Sequence, residues 1–130
     1  MIDGIIEQTS LYIDEMPKKE RKKYGQFFTS KETAMYMAGL FSIADGKETL
    51  TVLDAGAGSG ILSCAIVEAL QSKKIVKKVS LTCYETDNHI LEILKNNLEY
   101  VKSKAEIEVE YEILTDNYIT SQYSFICQPE

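Results

Sequence analysis

The sequence predicts an α/β fold built on an open parallel sheet, and three observations carry that reading. Leu50, Thr51, Val52 and Leu53 form a β-prone apolar run that ends in Asp54, and Gly56, Gly58 and Gly60 follow at every second position. Next comes Ile61–Leu70, whose residues suit a helix; a strand, a glycine turn and a helix open a nucleotide-type Rossmann fold. Beyond it, strand-like and helix-like segments keep alternating, as parallel sheets require. Lastly, three acids, Asp54, Glu85 and Asp116, each fall just after a predicted strand.

Taken in order, residues 2–16 place Ile2, Ile5, Ile6, Tyr12, Ile13 and Met16 at mostly helical intervals. An amphipathic helix fits, lying on the domain or on a neighbouring chain. After Pro17, Lys18–Lys23 (KKERKK) reads as a solvated, helix-compatible surface rather than a phosphate-contacting patch. Tyr24-Gly25-Gln26-Phe27-Phe28-Thr29-Ser30 sets two phenylalanines between a glycine and a hydroxyl pair, an unusual surface loop. Thr29 and Glu32 have capping-box spacing, so a helix is expected from near Ser30 to about Ile43, burying Ala34, Met37, Ala38 and Phe41. Asp45-Gly46-Lys47 is a turn into the first strand.

After the glycine turn, a helix runs to about Ser72, and Lys73–Lys78 connects it to a second strand, Val79–Tyr84, which ends in Glu85. Asp87 can cap a long helix with Ile90, Leu91, Leu94, Leu98 and Val101 as its apolar stripe. His89, the only histidine, lies in its first turn without a partner and is expected to face solvent. Glu106, Glu108, Glu110 and Glu112 then alternate with Ile107, Val109, Tyr111 and Ile113. A central parallel strand would be apolar on both faces, so this third strand is expected at an edge. Leu114–Asn117 closes it, and Tyr123–Cys127 reads as a short fourth strand.

The glycine spacing bears on the ligand. A dinucleotide site needs G-x-G-x-x-G to meet a pyrophosphate, and a phosphate loop needs a following lysine; this turn has neither. A carboxylate at the strand end suits a cationic ligand, and S-adenosyl-L-methionine carries a sulfonium and an ammonium but no phosphate. Glycines let the backbone approach such a ligand closely. The plainer alternative is a turn that binds nothing. In an open parallel sheet ligands bind at the carboxyl ends of the strands, where the three acids converge. Glu85, 25 residues beyond Gly60, stands where a dinucleotide fold keeps its ribose-binding acid. Asp116 could accept from an adenine amine, whereas acids also favour loop starts and helix caps for structural reasons.

The 130 residues are read as one domain, 1–130, with residues 1–23 as an N-terminal helical extension. Composition is ordinary for a globular protein, with 45% hydrophobic and 26% charged residues. A net charge of −6 argues against a nucleic-acid footprint over the whole surface. Cys64, Cys83 and Cys127 lack metal-ligand spacing and read as buried free thiols of a reducing compartment. No metal site, membrane span or signal-peptide core is legible, so a cytoplasmic protein is expected.

Tyr24-Gly25-Gln26-Phe27-Phe28-Thr29, placed about 25 residues ahead of Asp54-Ala55-Gly56-Ala57-Gly58-Ser59-Gly60, resembles the N6-adenine DNA methyltransferases of restriction–modification systems. The resemblance covers roughly residues 18–127. It implies a Rossmann-like class I SAM-dependent methyltransferase fold, here truncated after the fourth strand, with S-adenosyl-L-methionine as cofactor. Phe28 and Thr29 would line the methionine end, and Asp54, Gly56 and Gly58 would cradle it. Glu85 would hold the ribose and Asp116 the adenine amine. The catalytic Asn/Asp-Pro-Pro-Tyr/Phe sequence of that family should follow the fourth strand, where this chain has Gln128-Pro129-Glu130. No catalytic residue is therefore assigned, and a cofactor-binding but catalytically incomplete part is expected. DNA would be engaged through C-terminal regions or a companion chain, and homo-oligomerisation is left open. The alternatives are a methyltransferase of RNA or protein, since fold and cofactor do not set the substrate, and a non-catalytic interaction module docking through the N-terminal helix and a free sheet edge.

Overall fold

Thr49–Asp54 alternates threonines with apolar side chains and forms the first strand, β1. The structure, a computed structural model, describes residues 1–25, 28–43 and 46–122. β1 pairs in parallel with β2 (Lys78–Tyr84), and β2 with β3 (Glu108–Leu114), in the order β1-β2-β3. Leu50 lies beside Val79 and Val52 beside Leu81; Val79 and Leu81 lie in turn beside Val109 and Tyr111. Because side chains alternate along a strand, this register gathers all of these on one face. Val79, Leu81, Cys83 and Val109 are buried there in one core with residues of the flanking helices.

Among the described residues β3 lies at one end of the sheet, as expected, and β1 at the other; Glu108, Glu110 and Glu112 are exposed. Lys78 Nζ reaches Glu110 Oε2 at 3.2 Å across the pair and offsets part of that row. The expectation that a central parallel strand is apolar on both faces does not hold for this sheet. β2 is central, yet it also alternates: Ser80, Thr82 and Tyr84 are only half-buried. Among the described residues one sheet face meets the core and the other stays partly wet. Alternation therefore reports how many faces are covered, not which strand is outermost.

Two helices carry the crossovers that parallel pairing requires. α4 (Ile61–Gln71) buries Ile61, Cys64, Ala65, Val67 and Leu70. α5 (Asn88–Lys104) begins at Asp87, whose carboxylate accepts from the His89 amide at 2.9 Å. Its stripe of Ile90, Leu94, Leu98 and Val101 is buried as expected, with Leu91 only half-buried and Ile93 and Asn97 added. His89 is exposed, as expected.

The N-terminal helix α1 (Ile2–Asp14) lies on the domain, burying Ile2, Ile5 and Thr9 against α4 and α5. α2 (Lys18–Gly25) carries the basic run in solvent, and Tyr24 is its one buried side chain among the described residues. α3 (Lys31–Gly39) is capped by Ser30, which accepts from the Thr33 amide at 3.2 Å. It stops at Gly39, short of Ile43, because glycine is a poor helix residue. Ala34 and Ala38 are buried, but Met37 and Phe41 are 41% and 62% exposed, contrary to the expected face. α3 packs on α4, and Met37 and Phe41 border an apolar hollow beside Leu62 and Ile66 of α4 instead of filling the core.

A four-residue helix, α6 (Tyr118–Ser121), follows β3 and has no counterpart in the sequence reading. Cys64 and Cys83 are buried free thiols, pushed up to about 12 and about 11 by burial. Gln26, Phe27, Asp45 and the segment holding the expected fourth strand, Cys127 and Gln128-Pro129-Glu130 lie outside the described residues.

Candidate functional site

The strand register brings the three acidic loops to one end of the sheet. Asp54 lies beside Cys83, and Tyr84 beside Leu114, so Glu85 and Asp116 leave the sheet at the same level. Backbone bonds continue past the strands: Ala57 N donates to Tyr84 O at 2.9 Å, and Glu85 N to Leu114 O at 3.0 Å. The glycine turn then reverses the chain. Gly58 and Gly60 have φ of +56° and +87°, the left-handed region that only glycine enters without strain. A Cβ on Gly60 would also sit 3.2 Å from Leu94 Cδ1. These two glycines are explained by the protein itself.

Gly56 is different. It has no positive φ, and among the described residues a Cβ there would meet no atom within 4 Å beyond its chain neighbours. It also lines two cavities. The larger, of about 270 Å³, is lined by Gly56, Tyr84, Glu85, Thr86, Asp116 and Tyr118, among others. The smaller, of about 50 Å³, is lined by Phe28, Thr29, Gly56, Gly58 and Ile61, among others. Six of the seven site residues picked from the sequence thus fall on two cavities that share one glycine.

Glu85 is held before any ligand arrives. Its Oε1 accepts from the Gly58 amide at 2.8 Å and its Oε2 from the Asp87 amide at 3.0 Å. A carboxylate has about four acceptor positions, so two remain for hydroxyl donors. Asp116 is exposed at the rim of the larger cavity. Thr86, Tyr118 and Ile119, which the sequence reading missed, also line it. Their signal was adjacency: each lies within three residues of a strand-end acid. Tyr118 is further fixed by an edge-on contact with Tyr84, with ring centroids 5.1 Å apart.

Asp54, the seventh residue, lines neither cavity. It borders a separate apolar hollow beside Met37, Phe41 and Leu62, where its Oδ2 accepts from Ser63 Oγ at 2.8 Å. Burial pushes it above the ordinary carboxylate range, against the hydrogen bonds from Ser63 and the Gly56 amide. An acid with a raised folded pKa supports folding most below its unfolded value of about 3.9, and that support is lost as pH rises through the raised value. Ionised Asp54 therefore weighs against the fold at neutral pH. Asp54→Asn is expected to melt higher than the parent chain near pH 7, with the gap closing towards pH 4. Equal midpoints at both pH values would show that Ser63 and the Gly56 amide already offset the burial.

Behind the turn, the fully buried Asn97 of α5 donates to Ser59 O at 2.7 Å and to Thr9 Oγ1 of α1 at 3.3 Å. The N-terminal helix is thereby tied to the glycine loop through one side chain. Among the described residues no helix is long and apolar enough to cross a membrane. Nor, among them, is there a group of three or more His, Cys, Asp and Glu placed to hold a metal ion.

Comparison with known proteins agrees with this architecture. Over 101 residues, 78% of this chain and 19% of the relative, it is 37% identical to the Type II methyltransferase M.BsuBI of Bacillus subtilis. Over 113 residues, 86% of this chain and 21% of the relative, it is 34% identical to the Type II methyltransferase M.PstI of Providencia stuartii. The chain spans about a fifth of the length of these curated relatives. The family model described as ribosomal RNA adenine dimethylase matches residues 17–128, from the basic helix through all three strands and the three acidic loops. With its Rossmann-like parallel sheet, its glycine turn and the crevice above them, the chain belongs to the ribosomal RNA adenine dimethylase family.

Proposed function

We propose that the chain binds S-adenosyl-L-methionine across the two cavities, as the cofactor-binding part of an adenine-N6 DNA methyltransferase of a restriction–modification system. The observation that carries the reading is Gly56, which lines both cavities and whose missing side chain serves neither backbone conformation nor packing among the described residues. A ligand with an adenosine and an amino-acid end would lie over it. The adenosine then sits with Glu85 and Asp116, and the methionine end with Phe28, Thr29 and Gly58. Asp54 acts from behind, holding the start of α4 through Ser63. Methyltransferases of this kind use S-adenosyl-L-methionine, and the acids of the larger cavity suit its hydroxyl and amine donors.

The DNA assignment rests on the paired motifs Tyr24–Thr29 and Asp54–Gly60 and on the similarity to two Type II methyltransferases. A second reading, adenine in RNA, is favoured by the description of the matching family. Both share the cofactor site, so binding is the first test. Calorimetry with S-adenosylhomocysteine should show one site per chain. Gly56→Ala should weaken it by about tenfold or more, that is by at least about 1.4 kcal/mol, while the thermal midpoint stays put. Glu85→Ala should weaken it by about 1–3 kcal/mol, the range for hydrogen bonds to a charged group. Unchanged affinity in both variants would sink the assignment. Transfer of a labelled methyl group to DNA or to ribosomal RNA, by this chain together with the remainder of a related methyltransferase, separates the two acceptors.

A further inference from the structure

α2 has an odd composition for a helix that docks. Seven of its eight residues are lysines, arginine, glutamate and a terminal glycine, and its one buried side chain is Tyr24, 8% exposed. That ring packs with Ile90 and Ile93 at the start of α5 and lies roughly parallel to the Phe28 ring, centroids 6.5 Å apart. Its hydroxyl donates to Asp87 Oδ2 at 2.7 Å across 63 residues of sequence. The other oxygen, Asp87 Oδ1, accepts from the His89 amide at 2.9 Å. Both carboxylate oxygens are thus engaged and the side chain cannot swing. Asp87 N, in turn, donates to Glu85 Oε2.

From this geometry we infer that Tyr24 is a positioning residue of the cofactor site: it holds the Asp87 loop so that the Glu85 carboxylate is fixed for the two ribose hydroxyls. The inference rests on the cofactor reading above. Three points support it. Glu85 is bridged between the glycine loop and the Asp87 loop, so a shift of either amide turns its carboxylate. A site pre-set in this way spends less binding energy on ordering. The tyrosine hydroxyl is pushed up to about 12, chiefly by its bond to Asp87, so it stays a donor throughout the working pH range. A burial-only role would be served as well by phenylalanine, and phenylalanine is therefore the informative substitution.

Tyr24→Phe keeps the ring against Phe28 and Ile93 and removes the donor. Affinity for S-adenosylhomocysteine should fall about tenfold, the scale of one hydrogen bond to a charged group. In a Glu85→Gln background the same substitution should change affinity less than about twofold, because neighbours acting through one group are not additive. In the chain without ligand, amide exchange at Gly58 and Asp87 should quicken in Tyr24→Phe while the buried amides of β2 hold their rates. Equal losses in both backgrounds, or unaltered exchange at Gly58 and Asp87, would overturn the inference. If the unmodified chain does not bind S-adenosylhomocysteine, the cofactor reading fails by itself, and the exchange rates still decide whether Tyr24 fixes Glu85.

Discussion

Gly60→Val is expected to lower the stability of the chain by about 3–5 kcal/mol, a large part of the 5–15 kcal/mol typical of a domain. Two separate effects add. The residue sits at φ +87°, where a non-glycine residue costs about 1–3 kcal/mol and a β-branched one falls at the upper end. Its Cβ would also approach Leu94 Cδ1 to 3.2 Å, and Leu94 is fully buried. Overpacking of that kind costs about 1–3 kcal/mol more. Urea unfolding should show the midpoint falling by about 1.5 M or more, given a slope of about 1–2 kcal/mol per molar for a chain of this size. Gly56→Val is the control: with open space around it and no positive φ, it should shift the midpoint far less. A Gly60 variant as stable as the Gly56 variant would mean that the turn can be rebuilt without its left-handed glycine.

Asn97→Asp should be as damaging at neutral pH, for an electrostatic reason. Asn97 is fully buried, and its amide nitrogen is 2.7 Å from the Ser59 carbonyl oxygen. An ionised carboxylate puts an acceptor against an acceptor and leaves a buried charge unpaired, at a cost of about 3–5 kcal/mol. The protonated acid, however, can donate to Ser59 O as the amide does. Burial and the facing carbonyl both raise the pKa of the introduced carboxyl in the folded state. Its support is therefore present below the ordinary aspartate value and lost as pH rises through the raised one. Relative to the parent, the variant should recover most of its stability near pH 4 and lose it near pH 7. A deficit that does not vary with pH would place the damage in packing rather than in the Ser59 bond.

The parts of the fold legible in the sequence were those set by short-range chemistry. The glycine turn was readable because strand, acid, glycines and helix follow one another within one segment, and the structure places them in that order. Asp87 as a cap and the α5 stripe were readable for the same reason, since a cap reaches two residues and a helical face repeats every three or four. The glutamate row announced an exposed face of β3. Met37 and Phe41 were misjudged because their periodicity fits a buried face, while what closes a face is the partner, and here only Ala34 and Ala38 of that face are buried.

The sequence by itself, then, determined the α/β class, the strand-end placement of the acids and most of the residues that line the two cavities there. Tertiary structure decided which of those residues share a space. Only parallel registration of three strands brings Glu85, 27 residues along the chain, to the Gly58 amide, and turns Asp54 away towards Ser63. Only the docking of α1 and α2 brings Thr9 to Asn97 and Tyr24 to Asp87, across 88 and 63 residues. Hydrogen bonds of that kind leave no local period to read, because their partners meet only after the apolar faces of separate elements have been buried together.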